Sequence, residues 1–119
     1  MTSAIILFAH GSRDSSWAMP FERVLADVMT RAPQRNPMLA FLEIMQPDLD
    51  AAIATQVERG FAAIRVVPLF LGFGGHLRTD LPKIVEQAHA RHPGVRIEIA
   101  PPAGEDARVI GALAAYCLA

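Results

Sequence analysis

Ala4-Ile5-Ile6-Leu7-Phe8-Ala9 is a run of six apolar residues with no polar alternation. A strand with one wet face alternates; an unbroken run of this kind suits a parallel sheet covered on both faces. That narrows the fold sharply, because parallel neighbours must be joined by crossovers long enough to hold a helix.

The rest of the chain supplies such crossovers. From about Trp17 to Ala32, the residues Phe21, Val24, Leu25, Val28 and Met29 recur at helical spacing, with Pro20 in the first turn. Pro33 and Pro37 bound a loop, and Met38-Leu39-Ala40-Phe41-Leu42 is a second apolar run ending at Glu43. Gln46-Pro47-Asp48 reads as a helix start, and Leu49, Ala52, Ile53, Gln56 and Val57 carry the stripe toward Gly60. Ala62 to Phe70 is the third strand. A helix is expected from roughly Asp80 to Arg91, with Leu81, Ile84, Val85 and Ala88 on one face. Val95 to Ile99 alternates apolar and polar, as an edge strand would, and a last helix is expected from about Glu105 to Tyr116. The order βαβαβαβα predicts an α/β domain over residues 1–119, with a four-stranded parallel sheet flanked by helices in three layers.

In open sheets of this type, ligands sit beyond the carboxyl ends of the strands, near the point where strand order reverses. His10, Glu43 and His76 each follow a predicted strand and should converge on that edge. The two histidines sit in similar settings. His10-Gly11-Ser12-Arg13 follows the first strand, and Leu71-Gly72-Phe73-Gly74-Gly75-His76-Leu77-Arg78 follows the third. Neutral imidazole binds divalent first-row metals and accepts protons near neutral pH. Glu43 could orient an imidazole, complete a coordination shell or take a proton itself. Gly72, Gly74 and Gly75 would let a flat ligand press on backbone and would permit positive φ. Arg13 and Arg78 could meet substrate carboxylates through paired hydrogen bonds. A histidine after a strand is often only a loop residue or a helix cap, but two in equivalent positions beside glycines weigh toward a site. Phe70 and Phe73 fit either the core or a ligand platform. Asp14 and Asp80 read as helix-start residues, and His89 and His92 as surface groups near a helix end.

Composition closes off other classes. With 52% hydrophobic and 19% charged residues, the chain has the make-up of a compact folded protein. A net charge of −1, with ten scattered arginines and Lys83 as the single lysine, argues against a nucleic-acid surface. Cys117 stands alone, so neither an internal disulfide nor a cysteine metal site can form. No stretch reads as a signal peptide or a bilayer span, and a cytoplasmic location is expected.

Residues alone lead to a metal- or anion-handling site on an α/β domain. Beyond that, three segments together resemble the small sirohydrochlorin chelatases, class II enzymes related to the anaerobic cobaltochelatases. These segments are Phe8 to Asp14, Phe41-Leu42-Glu43 with Gln46-Pro47, and Val67 to Leu71 continuing through Gly75 to Asp80. The likeness extends through Pro101-Pro102 and Gly104-Glu105-Asp106. It implies insertion of cobalt, nickel or iron into sirohydrochlorin with release of two pyrrole protons, and no cofactor beyond that metal substrate. It further implies His10 as proton acceptor and metal ligand, His76 as its metal-binding partner, Glu43 facing the tetrapyrrole, and Leu71 to Gly75 as the loop against which the macrocycle packs. Larger chelatases resemble two such domains fused, so a homodimer with one cleft shared about a two-fold axis is expected. A tetrapyrrole or metal carrier would show the same ligands. A histidine phosphatase would need arginine just before the first histidine, where this chain has Ala9.

Overall fold

The computed structural model describes residues 2–72 and 74–119, and at His76 the backbone only. Four parallel strands, β1 (Ala4–Ala9), β2 (Met38–Phe41), β3 (Ala63–Pro68) and β4 (Arg96–Ile99), lie in the order β2-β1-β3-β4. The chain leaves β1 toward one neighbour and returns across it to the other, so strand order reverses between β1 and β3. Four helices complete the fold: α1 (Met19–Arg31), α2 (Leu49–Glu58), α3 (Gly75–Arg91) and α4 (Ala107–Leu118).

Registers explain how the two faces differ. Ala4, Ile6 and Phe8 pair with Ile64, Val66 and Pro68, and all six are buried. Against this face pack Leu49, Ala52 and Ile53 of α2 with Leu81 and Ala88 of α3, forming the main hydrophobic cluster. The opposite face is thinner. Helix α1 covers β2, yet none of its residues is buried. At the far edge, β4 alternates exposed and half-buried residues, as its sequence pattern predicts.

Local chemistry sets the ends of the elements. Asp48 caps α2 by accepting a 2.8 Å hydrogen bond from the Ala51 amide, as expected of Gln46-Pro47-Asp48. Gly60, just past α2, adopts φ +93, a conformation open to glycine. Asp14 caps a short 3-10 turn, Ser15–Ala18, ahead of α1; the Ser16 hydroxyl and then its amide hold the Asp14 carboxyl below the usual range. Gln56, fully buried in α2, clamps Asn36 with two hydrogen bonds of 2.8 and 2.7 Å and holds that residue at φ +43 ahead of β2.

Two expectations need correction. Helix α3 begins at Gly75, not near Asp80, so Asp80 lies in its second turn and Pro82 in its interior. Leu77 and Leu81 pack on the core, and that burial extends the helix back past the proline. Helix α4 begins at Ala107 after a 3-10 turn at Ala103–Glu105, two residues later than expected.

That turn is welded to the end of β3. The Gly104 amide donates to the Phe70 carbonyl at 2.8 Å, and a Cβ at Gly104 would collide with the Leu71 carbonyl. Backbone on both sides leaves no flexible atom to yield. Gly104→Ala should therefore lower stability by about 1–3 kcal/mol, the usual cost of overpacking, read as a reduced urea midpoint with unchanged slope.

Candidate active site

The strands end where the chemistry begins. Past β1 and β2 the two main chains stay hydrogen-bonded: the Leu42 amide donates to Ala9 O at 2.9 Å and the Glu43 amide to His10 O at 3.1 Å. Main-chain pairing thus sets His10 and Glu43 side by side, although they are 33 residues apart. Between them sits Gly11 at φ +99, where a Cβ would strike the Glu43 carbonyl. This is the position at which positive φ is needed; Gly72, Gly74 and Gly75 do not adopt it.

The side chains meet as their backbones do. His10 Nε2 lies 2.9 Å from Glu43 Oε1, and both side chains are about half exposed, at 53% and 56%. A carboxylate only accepts, so a neutral His10 in this pair carries its proton on Nε2. Nδ1 then keeps the lone pair for a metal ion or a proton. Buried Phe70 stands edge-on to the His10 ring at 6.2 Å and to Phe8 at 5.8 Å, walling the imidazole on its inner side.

After Glu43 the chain turns back on itself. Met45 N donates to Glu43 O at 2.7 Å around Ile44, which is held at φ +70. A β-branched residue in that region is strained. Its side chain is 57% exposed.

These residues open into a cleft of about 590 Å³ at the reversal point of the sheet, lined by His10, Leu42, Glu43, Phe70, Gly72, Gly74, Leu77 and Asp80. Of the residues singled out from sequence, His10, Glu43, Gly72 and Gly74 line it. Leu71, 63% exposed, and Gly75 adjoin it, and His76 occupies the second position of α3 rather than a preceding loop. Phe73, expected to contact substrate, lies outside the described residues. Among the described residues, a Cβ at Gly72, Gly74 or Gly75 would meet nothing within 4 Å, so the backbone there borders open space.

The arginines part ways. Arg78 Nη2 bonds Glu105 Oε2 at 2.5 Å, tying the first turn of α3 to the 3-10 turn before α4. Arg13 is exposed on the loop after β1. Leu42, Leu77 and Asp80 were not among the expected site residues; Phe70, which the sequence leaves open between core and ligand platform, is buried and lines the cleft. Starting the helix at Gly75 would have found Leu77 and Asp80, which fall three apart on one helix face. Among the described residues, no three histidine, cysteine or acidic side chains gather as a metal-holding group. None of their helices is long and apolar enough to cross a membrane.

Comparison with known proteins agrees with this geometry. Residues 4–117 match the CbiX family model. The chain is 30% identical over 111 residues to the sirohydrochlorin cobaltochelatase of Sulfolobus acidocaldarius, covering 92% of this chain and 85% of that one. It is 29% identical over 113 residues to the sirohydrochlorin ferrochelatase of Bacillus subtilis strain 168, covering 95% of this chain but only 43% of the longer protein. The crystal structure of the CbiX protein from Marinobacter aquaeolei VT8 superposes with a TM-score of 0.86 at 36% identity, covering 97% of this chain and 93% of that one. With a matching family model, matching relatives and a matching fold, the chain belongs to the CbiX family.

Proposed function

We propose that this protein is a sirohydrochlorin chelatase, exchanging two pyrrole protons of the macrocycle for a divalent metal ion. The observation that carries the reading is the His10–Glu43 pair at the mouth of a cleft whose glycines leave backbone uncovered. Insertion needs a base near the macrocycle centre and a ligand that gives up its ion. His10 Nδ1 can serve as both in turn, while Glu43 fixes its tautomer and ring plane. His76 is assigned as the second metal ligand. A site with few protein donors keeps positions open, and an incomplete shell lets the ion pass to the four pyrrole nitrogens. Cobalt is the favoured metal, after the cobaltochelatase that this chain matches over most of its length; imidazole and carboxylate also suit nickel and iron. Sirohydrochlorin carries eight carboxyl groups, which are partners for Arg13 and, in competition with Glu105, for Arg78.

His10→Ala should reduce cobalt insertion by about 100- to 10,000-fold while leaving the melting temperature nearly unchanged, since the ring is half exposed. The change in the sirohydrochlorin absorbance spectrum measures this. Near-normal turnover by the variant would defeat the assignment, and saturation of the wild type at stoichiometric macrocycle would mark a carrier instead of an enzyme.

Gly72→Ala and Gly74→Ala act on the other half of the site. Neither Cβ meets a described residue within 4 Å, so urea midpoints should hold. If the macrocycle lies on this backbone, KM for sirohydrochlorin should rise several-fold with a smaller change in kcat, the pattern of lost uniform binding. Wild-type KM in both variants would place the macrocycle elsewhere.

The working unit on this reading is a homodimer whose two copies share one cleft. The support is length: the ferrochelatase relative is more than twice as long as the segment it shares with this chain. A flat macrocycle on one strand edge is also left open on its other side. Titration of sirohydrochlorin should saturate at one macrocycle per two chains; saturation at one per chain would refute the shared cleft.

A further inference from the structure

The cleft, as its lining stands, is poorly charged for a polycarboxylate. Its described lining carries two carboxylates, Glu43 and Asp80, one imidazole, His10, and no arginine or lysine. Like charges so placed oppose an anionic ligand. The cation that adjoins this lining along the chain is Arg78, one residue on from Leu77. It lies in the first turn of α3, where its amide donates to Gly74 O at 3.1 Å. Its guanidinium is drawn to Glu105, with Nη2 and Oε2 2.5 Å apart.

The two partners are not equally mobile. Glu105 stands on the Ala103–Glu105 turn, which main-chain hydrogen bonds pin in place. The Gly104 amide donates to Phe70 O at 2.8 Å, the Glu105 amide to Pro102 O at 2.9 Å and the Asp106 amide to Ala103 O at 3.1 Å. Arg78 reaches that turn on a long side chain with many rotamers. Both side chains are about half exposed, at 55% and 45%, so water and salt already compete for the pair. A pair of this kind adds little to stability and exchanges readily. The Glu105 carboxylate also has the same chemistry as the groups on the macrocycle that Arg78 would bind.

We propose that Glu105 is an internal competitor for Arg78, surrendering the guanidinium to a macrocycle carboxylate and reclaiming it as the macrocycle leaves. The inference rests on the chelatase reading above and adds to it a residue that sets affinity. Metal insertion changes the centre of the macrocycle and leaves its carboxylates untouched, so Arg78 binds substrate and product alike. Binding of that uniform kind does not speed the chemical step, and it delays the departure of product. A resident carboxylate offsets part of it at both stages. The exchange is worth about two- to fivefold in affinity, the range of an exposed ion pair.

Glu105→Gln, assayed on the full chain with cobalt and sirohydrochlorin, should lower KM and the inhibition constant of the cobalt product together. Each should fall by about two- to fivefold, with a smaller change in the single-turnover rate of insertion. Glutamine keeps the shape of glutamate at a half-exposed site, so the urea midpoint should hold. Arg78→Ala breaks the same pair from its other end and should raise both constants. Opposite signs from the two variants mark competition, whereas a contact that only braces the fold would move both the same way. In the Arg78→Ala background, Glu105→Gln should have no further effect on either constant. Wild-type constants in Glu105→Gln, or a rise in them, overturn the inference and leave the chelatase reading in place. So does an undiminished Glu105→Gln effect in the Arg78→Ala background. A wild-type chain that inserts no cobalt removes both.

Discussion

Main-chain hydrogen bonding between the segments leaving β1 and β2 outlasts the strands themselves, and the site depends on it. Two main-chain hydrogen bonds beyond the strand ends, from Leu42 N to Ala9 O and from Glu43 N to His10 O, bring His10 and Glu43 side by side, so their side chains need little freedom to meet. The cost of that closeness falls on Gly11, which has to do without a side chain against the Glu43 carbonyl. Groups placed by main-chain hydrogen bonds are held more tightly than groups placed by flexible loops, and preorganisation of this kind is what the proposed proton transfer requires.

The rest of the fold serves the same edge. Because β1 lies between β2 and β3, both histidine-bearing segments emerge at one end of the sheet. The core concentrates on the α2–α3 face, where Phe8, Val66, Ile53 and Leu81 give rigidity behind the site. Phe70 joins the two regions: its ring is buried at the core's upper limit and also backs the imidazole.

Much of this was legible in the amino-acid order. The strands declared themselves because they are apolar and short, and their spacing implied parallel pairing and hence a shared site at the carboxyl ends. What the order could not show were contacts between backbones. Gly104 looks like any turn glycine until the Leu71 carbonyl is found against it. Glu105 gives no local sign that Arg78, 27 residues away, will bond to it. The start of α3 was misplaced for a different reason. Asp80 reads as a helix-start residue, and only the tertiary burial of Leu77 and Leu81 reveals the turns that precede it.

The turn at Ile44 has a consequence for anyone engineering this protein. A branched side chain at φ +70 holds about 1–3 kcal/mol of strain that glycine or asparagine would release. A search for heat-resistant variants would therefore arrive early at this residue, next to Glu43. Because that residue adjoins Glu43, such a search should follow turnover alongside melting temperature.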